Sequence, residues 1–203
     1  MKFFKERNKR QEVVQFNIIV GENYIQSCTE IMQLIQNGSW KGDTELSISF
    51  QDELLEDIDD CIESHHSSDR VLYSEEMQVL DIVGESFRSK ELKNLFDRVE
   101  DNWLSGFLLP EPLNPHDPNA VGLMIISPTI DNPNKATIAV LGGFEVIHGG
   151  YLKREQAEKV SRKIINLMEN DLYIPVLLKL LGGSPDKPNI GIRARAKTEA
   201  VTF

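Results

Sequence analysis

Residues Leu108–Ile126 read LLPEPLNPHDPNAVGLMII, and this stretch decides how the second half of the chain folds. Two hydrophobic runs flank a segment rich in Pro, Asn and Asp. Its prolines fix φ and lack an N–H donor, so neither run continues as a strand through the segment. The side chains of Asn114, Asp117 and Asn119 are of the type that hydrogen-bonds to nearby backbone. The stretch therefore predicts two antiparallel strands joined by an ordered turn.

Short strands and a few helices are predicted on both sides of this turn from hydrophobic periodicity and from Gly and Pro breaks. The predicted strands are 12–20, 45–50, 78–83, 103–109, 120–127, 136–140, 145–148, 172–181 and 190–196. The predicted helices are 24–36, 51–63, 85–99 and 153–170. Many short strands with few helices indicate an α+β, mostly β protein, namely a small OB-like β-barrel with added helices.

The polar segment Ser64–Arg70 predicts a boundary between two regions. Residues 1–70 form an acidic α/β region, and residues 71–203 form the barrel domain. The strings IVGENY (Ile19–Tyr24) and IVGESF (Ile82–Phe87) are alike, and each precedes a predicted helix. A duplication whose first copy has decayed would explain the likeness. Independent strand–Gly–helix steps are the favoured explanation, since such steps resemble one another.

Charge is distributed unevenly along the 203 residues, whose net charge is −10. Residues 1–78 carry 7 Lys and Arg against 16 Asp and Glu, whereas residues 152–203 carry 10 against 6. Because phosphate attraction dominates nonspecific binding, the global acidity argues against a general nucleic-acid coat protein and leaves room for a local basic patch. The absence of a long apolar run and the two unpaired cysteines favour a cytoplasmic protein without membrane contact.

Motifs for catalysis and for cofactors are missing from the sequence. GxxxxGK[ST], HExxH, GxSxG and GxGxxG do not occur, so we expect neither an enzyme nor a bound cofactor. Cys61, Glu63, His65 and His66 lie close together in sequence, but adjacent histidines on an extended chain point apart. They are interpreted as a solvated linker, and no metal site is predicted. His148 has no assignable catalytic partner.

The string NPHDPNAV (Asn114–Val121), with Pro-Glu-Pro before it, closely resembles the signature loop of the HIRAN domain family. VLDIVGESFRSK (Val79–Lys90) resembles the opening strand, Gly turn and aromatic residue of that family. GGYLKREQA (Gly149–Ala157) resembles its later strand-to-helix step. The likeness covers about residues 79–200 of the chain.

The resemblance implies an OB-type barrel that binds nucleic acid, with single-stranded DNA and its 3′ end as the best understood ligand. By the resemblance, Asp117 accepts a hydrogen bond from the terminal 3′-hydroxyl and Asn114 shapes the pocket. Phe87 stacks on a base, and Arg154, beside Lys153, contacts a phosphate oxygen. Bacterial versions are often single-domain proteins or are joined to varied partners.

Three positions depart from the pattern of the end-binding members. His116 stands in place of a Tyr, Ser86 in place of an Arg, and Tyr151 in place of a His. Arg88 is expected to compensate for the missing Arg.

A structural interpretation stands beside each of these roles. Asn114, Asp117 and Asn119 hold the turn in any case. Phe87 suits a core position, and the basic pair of Lys153 and Arg154 suits a solvated helix end. Arg162, Lys163, Arg193, Arg195 and Lys197 are expected to extend the basic pair into one face.

Two functions therefore stay open. The first is a module that binds single-stranded DNA as an accessory to DNA repair or processing. The alternative is an acidic adaptor or inhibitor that acts on a DNA-processing protein and has lost the ligand pocket, which the acidic segment Asp52–Asp60 favours.

Overall fold

A small strand–helix–strand unit opens the fold. The computed structural model describes residues 14–20, 23–36, 44–50, 77–99, 103–128, 137–141, 144–170, 173–184 and 186–197. The unit consists of β1 (Val14–Val20), α1 (Tyr24–Gln36) and β2 (Thr44–Phe50). β1 and β2 pair in parallel, from Val14 opposite Thr44 to Val20 opposite Phe50. Parallel neighbours need a crossover connection, and α1 lies in that connection.

The other strands build one antiparallel sheet. They are β3 (Met77–Leu80), β4 (Ile82–Val83), β5 (Trp103–Pro110), β6 (Val121–Pro128), β7 (Thr137–Leu141), β8 (Phe144–Leu152), β9 (Pro175–Ser184) and β10 (Lys187–Lys197). A 3-10 turn (Glu85–Arg88) leads into α2 (Ser89–Phe96), and α3 (Arg154–Met168) follows β8. The strand order is β3-β10-β9-β5-β6-β8-β4, with β7 added to β8. The predicted fold class, an α+β and mostly β protein with an OB-like barrel, is confirmed.

The sheet returns on itself at Asp81. β3 pairs with β10 and β4 pairs with β8, yet only Asp81 separates β3 from β4 in the chain. One bent strand therefore joins both ends of the sheet into a nearly closed barrel. The bend is held by α3, because Gln156 Oε1 accepts the Asp81 N–H at 2.8 Å. The Asp81 carbonyl in turn accepts the Lys153 N–H at 2.7 Å.

The hydrophobic core lies inside the barrel and beneath α1 and α3. Leu108, Leu123 and Leu178 are fully buried strand residues within it. Consecutive residues of β5 and β6 are buried, which is expected when both faces of a strand are covered. Hydrophobic spacing in α3 predicts an apolar stripe of Ala157, Val160, Ile164, Leu167 and Met168. All of them are buried except Leu167, which is half-buried. Helix α1 joins the same core through Tyr24 and Cys28.

Element boundaries differ from the prediction at three places. β8 continues through Leu152 instead of ending at 148, and the β9–β10 hairpin includes most of the predicted loop 182–189. Positive φ angles of 102° at Gly182 and 73° at Gly183 let the chain turn sharply while pairing continues. The predicted helix 85–99 is a 3-10 turn followed by the eight residues of α2.

Some sequence predictions fall on residues outside the described ranges. These are the helix at 51–63, the polar segment Ser64–Arg70 with the proposed domain boundary, and the four side chains from Cys61 to His66. The two similar IVGE units both continue into a helix. They differ in pairing, since β1 pairs with β2 while β4 pairs with β8.

Candidate nucleic-acid interface

The loop between β5 and β6 is closed by hydrogen bonds within itself. The Glu111 N–H donates to Ala120 O at 2.8 Å, and the Ala120 N–H donates to Asp117 O at 3.0 Å. Asn114 Oδ1 accepts the backbone N–H groups of His116 at 3.0 Å and Asp117 at 3.3 Å. These bonds hold the loop in one conformation, as the density of Asn, Asp and Pro predicts.

Asp117 and Asn119 have different roles in this loop. Asp117 Oδ1 accepts the Asn119 N–H at 2.9 Å, so this carboxylate also shapes the turn. The Asn119 side chain accepts from Ser161 Oγ of α3 at 3.4 Å. Of the three polar residues predicted to bind loop backbone, Asn114 and Asp117 do so through their side chains, whereas the Asn119 side chain contacts the helix.

The second oxygen of Asp117 faces the start of α3. Asp117 Oδ2 lies 3.6 Å from Arg154 Nε, and the Arg154 side chain is 71% exposed. Arg154 Nε also donates to Glu158 Oε1 at 3.1 Å. The Asp117 side chain is less exposed, at 21%. Ion pairs near the surface contribute on the order of 1 kcal/mol, so a ligand group can replace this pair at small cost. Asp117 therefore offers one carboxylate oxygen next to a cation.

A half-buried carboxylate lies beneath the loop, at Glu111. Its Oε1 lies 2.9 Å from His148 Nε2. Its Oε2 accepts the Tyr151 hydroxyl at 3.0 Å and Asn114 Nδ2 at 3.2 Å. Asn114 Nδ2 also lies 3.4 Å from the Tyr151 hydroxyl. The carboxylate thus connects the loop to β8, and the three other side chains satisfy both of its oxygens.

The four side chains of Glu111, Asn114, His148 and Tyr151, which we call the Glu111 cluster, need a glycine on the neighbouring strand β6. A Cβ atom at Gly122 would lie 2.7 Å from Glu111 Oε1, 2.9 Å from His148 Nε2 and 2.6 Å from Met124 Cε. Any side chain at position 122 would therefore occupy the space of the Glu111–His148 contact. Gly122 on β6 is a structural requirement of the cluster.

A β-bulge brings His148 and Tyr151 to the same side of β8. Residues three apart in a regular strand face opposite sides of the sheet. Here the register with β6 shifts between Leu123, which is opposite Gly150, and Met124, which is opposite His148. The extra residue restores a common face, and the two rings lie 4.6 Å apart between centroids. Gly149 and Gly150 supply the freedom that this bulge needs, and Gly150 has φ 152°.

The contacts within the Glu111 cluster shift the pKa values of Glu111 and Tyr151. Burial alone raises the pKa of Glu111, but the hydrogen bond and charge of His148, with the bonds from Tyr151 and Asn114, outweigh burial and hold that pKa below its ordinary value. Burial and the Glu111 carboxylate raise the pKa of Tyr151 to about 12, against the opposing charge of Arg88. Glu111 is therefore a carboxylate at neutral pH, and Tyr151 is a neutral hydrogen-bond donor.

The segment after β4 contributes the remaining residues of the surface around Tyr151. Gly84 has φ 88°, a left-handed conformation that suits glycine and turns the chain from β4 into the 3-10 turn. The Arg88 guanidinium lies 5.7 Å from the centroid of the Tyr151 ring. Phe87 beside it is 89% exposed, so the alternative of a core position for Phe87 is wrong. Val83, opposite Tyr151 in the β4–β8 pair, is 44% exposed.

The eight residues predicted for the site fall into two groups. Five are connected by contacts, which run from Arg88 to Tyr151, Asn114 and the loop residue Asp117, and from there to Arg154. The other three, Phe87, His116 and Lys153, are exposed residues adjacent to members of the first group. We define these eight residues as the loop site.

The larger basic face predicted from sequence is divided between two elements. Arg162 and Lys163 are exposed in the second half of α3. On β10, Arg193 is exposed and Arg195 is half-buried, while Lys197 is the last residue of the strand.

Glu111 and His148 are the functional candidates that sequence reasoning missed. Glu111 stands in the quoted Pro-Glu-Pro string, but its partners are 37 and 40 residues away in the chain. The Gly149-Gly150 pair directly after the predicted strand 145–148 was the available signal, because glycine in a strand that continues past it often marks a bulge.

The described ranges contain neither a metal-binding group of side chains nor a membrane-spanning helix. No group of three or more His, Cys, Asp or Glu side chains in them is arranged to hold a metal ion. None of the helices in that part of the chain is long and apolar enough to cross a membrane.

The chain has no match among protein-family models, curated proteins or solved structures.

Proposed function

We propose that this chain is a nucleic-acid-binding module of the HIRAN type that recognises single-stranded DNA, including its 3′ end. One observation carries the proposal. The three segments singled out by the sequence resemblance, around Phe87, Asn114 and Arg154, meet at one surface next to the Tyr151 ring. They come from a 3-10 turn, a loop and a helix start, so their meeting is a property of the fold and not of local sequence.

Each part of the loop site suits one part of a DNA end. Asp117 Oδ2 can accept the hydrogen of a terminal 3′-hydroxyl, because the other oxygen is engaged by the loop. Arg154 and Lys153 are exposed cations suited to a phosphate oxygen. The 89% exposed ring of Phe87 provides a stacking surface, which contributes about 1–3 kcal/mol per base.

The departures from the family pattern have local compensation. Arg88 lies two residues after Ser86, and its guanidinium lies 5.7 Å from the centroid of the Tyr151 ring. It offers a cation in place of the Arg that the family has at the position of Ser86. Tyr151 supplies an aromatic ring and a neutral hydroxyl at the position of the family's His. The His116 side chain is exposed beside Asp117 and offers a smaller ring than a Tyr would.

In this proposal the protein acts in the cytoplasm as a bacterial or phage accessory protein in DNA repair or processing. It has no catalytic role and no cofactor, and its partners are single-stranded DNA and a DNA-processing protein that the module accompanies.

A second candidate function is an adaptor or inhibitor that binds a DNA-processing protein. It is supported by the exposure of Val79 and Val83, which belong to the bent β3–β4 strand, and of Phe87 within the loop site. Aromatic and aliphatic side chains of this kind also anchor protein partners. The net charge of −10 suits a partner with a basic nucleic-acid site.

Fluorescence anisotropy separates the two functions. Single-stranded oligonucleotides labelled at the 5′ end and carrying either a 3′-hydroxyl or a 3′-phosphate are titrated with the full chain at two salt concentrations. We expect preference for the hydroxyl, and we expect Asp117→Asn to abolish this preference. Asp186→Asn removes the same charge from an exposed turn and should leave the preference unchanged.

Equal binding of both ends, unchanged by Asp117→Asn, would contradict end recognition and indicate a general single-strand groove. Absence of binding at low salt would contradict the nucleic-acid function altogether and favour the adaptor.

A further inference from the structure

The outer face of β9, β10 and β3 concentrates positive charge in an acidic protein. Residues 175–197, which contain β9 and β10, hold five cations and one acidic residue, Asp186, whereas the whole chain has a net charge of −10. The five cations are Lys179, Lys187, Arg193, Arg195 and Lys197. This hairpin thus has a local excess of positive charge, which suits an anionic partner.

The strand register places three of these cations side by side. Arg193 on β10 lies directly opposite Lys179 on β9, and Arg195 lies opposite Val79 on β3. Their neighbours Ala194 and Leu178 are buried, so the alternation of a strand places the three basic residues on the outer face, where Arg193 is exposed and Lys179 and Arg195 are half-buried. We call Lys179, Arg193, Arg195 and the exposed Val79 the hairpin face.

The hairpin face is continuous with the loop site. Val79, Asp81 and Val83 are alternate residues of the bent β3–β4 strand, and all three are exposed. The first lies opposite Arg195 and the last opposite Tyr151. The two valines are four positions apart, which corresponds to at most about 13 Å at about 3.3 Å per residue.

A bound DNA single strand can follow the row of Val79, Asp81 and Val83. About four stacked nucleotides span 13 Å, at about 3.4 Å each. The two exposed valines offer apolar contact to bases and sugars, while the cations of β10 and β9 lie on one side of the row for the phosphates. Asp81 repels phosphates, so the backbone is expected to run on the β10 side of the row.

We propose that the hairpin face binds the phosphates of single-stranded DNA about four to six nucleotides from the 3′ end held by the loop site, the distance being set by about 3.4 Å per nucleotide. This inference rests on the proposed function, because the loop site fixes where the strand begins. It assigns a role to β9 and β10, which the sequence resemblance leaves without one. The occupant is identified by charge, by the apolar row and by continuity with the end-binding residues.

Oligonucleotides of two lengths test the inference on the full chain. One of about four nucleotides fills the loop site and the row, and one of about ten reaches the hairpin face at about 3.4 Å per nucleotide. The longer one should bind more tightly. Lys179→Gln combined with Arg193→Gln should weaken its binding about tenfold and reduce the slope of log affinity against log salt by about 1.4, or about 0.7 per lost phosphate contact.

Arg162→Gln combined with Lys163→Gln is the matched control, since it removes the same charge from exposed positions of α3. Binding of the long oligonucleotide to this control, and of the short one to either double variant, should stay within about twofold of the unsubstituted chain, because no phosphate contact is lost. Arg193→Lys, combined with intact Lys179, should retain the salt dependence, which separates loss of charge from loss of fold.

Three outcomes would overturn the inference. If both lengths bind equally while the short one still prefers a 3′-hydroxyl, the hairpin face has no role and the loop site stands. If the control loses as much affinity as the hairpin variant, the effect is global charge and not a site. If neither length binds, the proposed function fails and this inference fails with it.

Discussion

The hydroxyl of Tyr151 donates to Oε2 of Glu111 at 3.0 Å, which joins the end of β8 to the first residue of the β5–β6 loop. The same carboxylate oxygen accepts Asn114 Nδ2 at 3.2 Å. This half-buried carboxylate therefore fixes Asn114 and the Tyr151 ring relative to each other. Glu111 acts by positioning these two neighbours.

Removal of the Tyr151 hydroxyl should destabilise the protein measurably. Tyr151→Phe keeps the ring near Arg88 and leaves Glu111 with one donor fewer. Hydrogen bonds to charged groups contribute about 1.5–3 kcal/mol, and we expect a loss of unfolding free energy in that range by urea denaturation. Ser161→Ala removes another hydroxyl, whose bond to Asn119 is longer at 3.4 Å, and should cost less. Equal losses in the two variants would contradict the role of the Glu111 cluster.

The Glu111 carboxylate should make stability depend on pH in the acidic range. Its folded-state pKa lies below the ordinary value of 4.5, so the unfolded chain binds the proton more readily than the folded one. The resulting stabilisation is complete above the ordinary value and disappears as the pH falls through the lower folded-state pKa. Urea unfolding across this range should show a shallower fall for Glu111→Gln than for the unsubstituted chain. Glu158→Gln, at an exposed position, should leave the profile unchanged, and identical profiles for all three chains would contradict the prediction.

Gly122→Ala should be destabilising because the added methyl group overlaps the Glu111 and His148 side chains. Its Cβ would lie 2.7 Å from the carboxylate oxygen and 2.9 Å from the ring nitrogen. Forcing an extra methyl into a packed site costs about 1–3 kcal/mol, which thermal and urea unfolding would detect. Gly191→Ala is the matched control, since a Cβ there meets nothing within 4 Å. A cost at Gly191 as large as that at Gly122 would show that overlap with the cluster is not the cause.

Arg98→Ala should be among the most destabilising single changes in the described part of the chain. Arg98 Nη2 lies 2.5 Å from Oε1 of Glu145, and the Glu145 side chain is fully buried. Arg98→Ala removes a charge partner of this buried carboxylate, and breaking a buried ion pair costs about 3–5 kcal/mol. Lys93→Ala breaks the exposed Lys93–Asp97 pair of α2 and should cost less than about 1 kcal/mol. Denaturant unfolding of both variants measures the difference, and similar costs would contradict it.

Sequence patterns predicted the elements whose signals are local. The strands beside the signature loop, the apolar stripe of α3 and the turn chemistry of Asn114 and Asp117 all follow from spacing within about a dozen residues. The extension of β8 to Leu152 was missed, since Gly149-Gly150 resembles a strand end unless the partner strand is known. The exposure of Phe87 was equally undetermined, because an aromatic residue before an amphipathic helix suits either environment.

The sequence by itself determined the mostly β fold class and the loop 111–120, because dihedral preferences and side-chain-to-backbone hydrogen bonds act over a few residues. Only the tertiary structure decided how the barrel closes at Asp81, that Glu111 meets His148 and Tyr151, and that Arg154 faces Asp117. Those relationships join residues 37 or more positions apart, and each depends on strand register and on one bulge. A shift of one residue in register would turn every such side chain to the other face of the sheet.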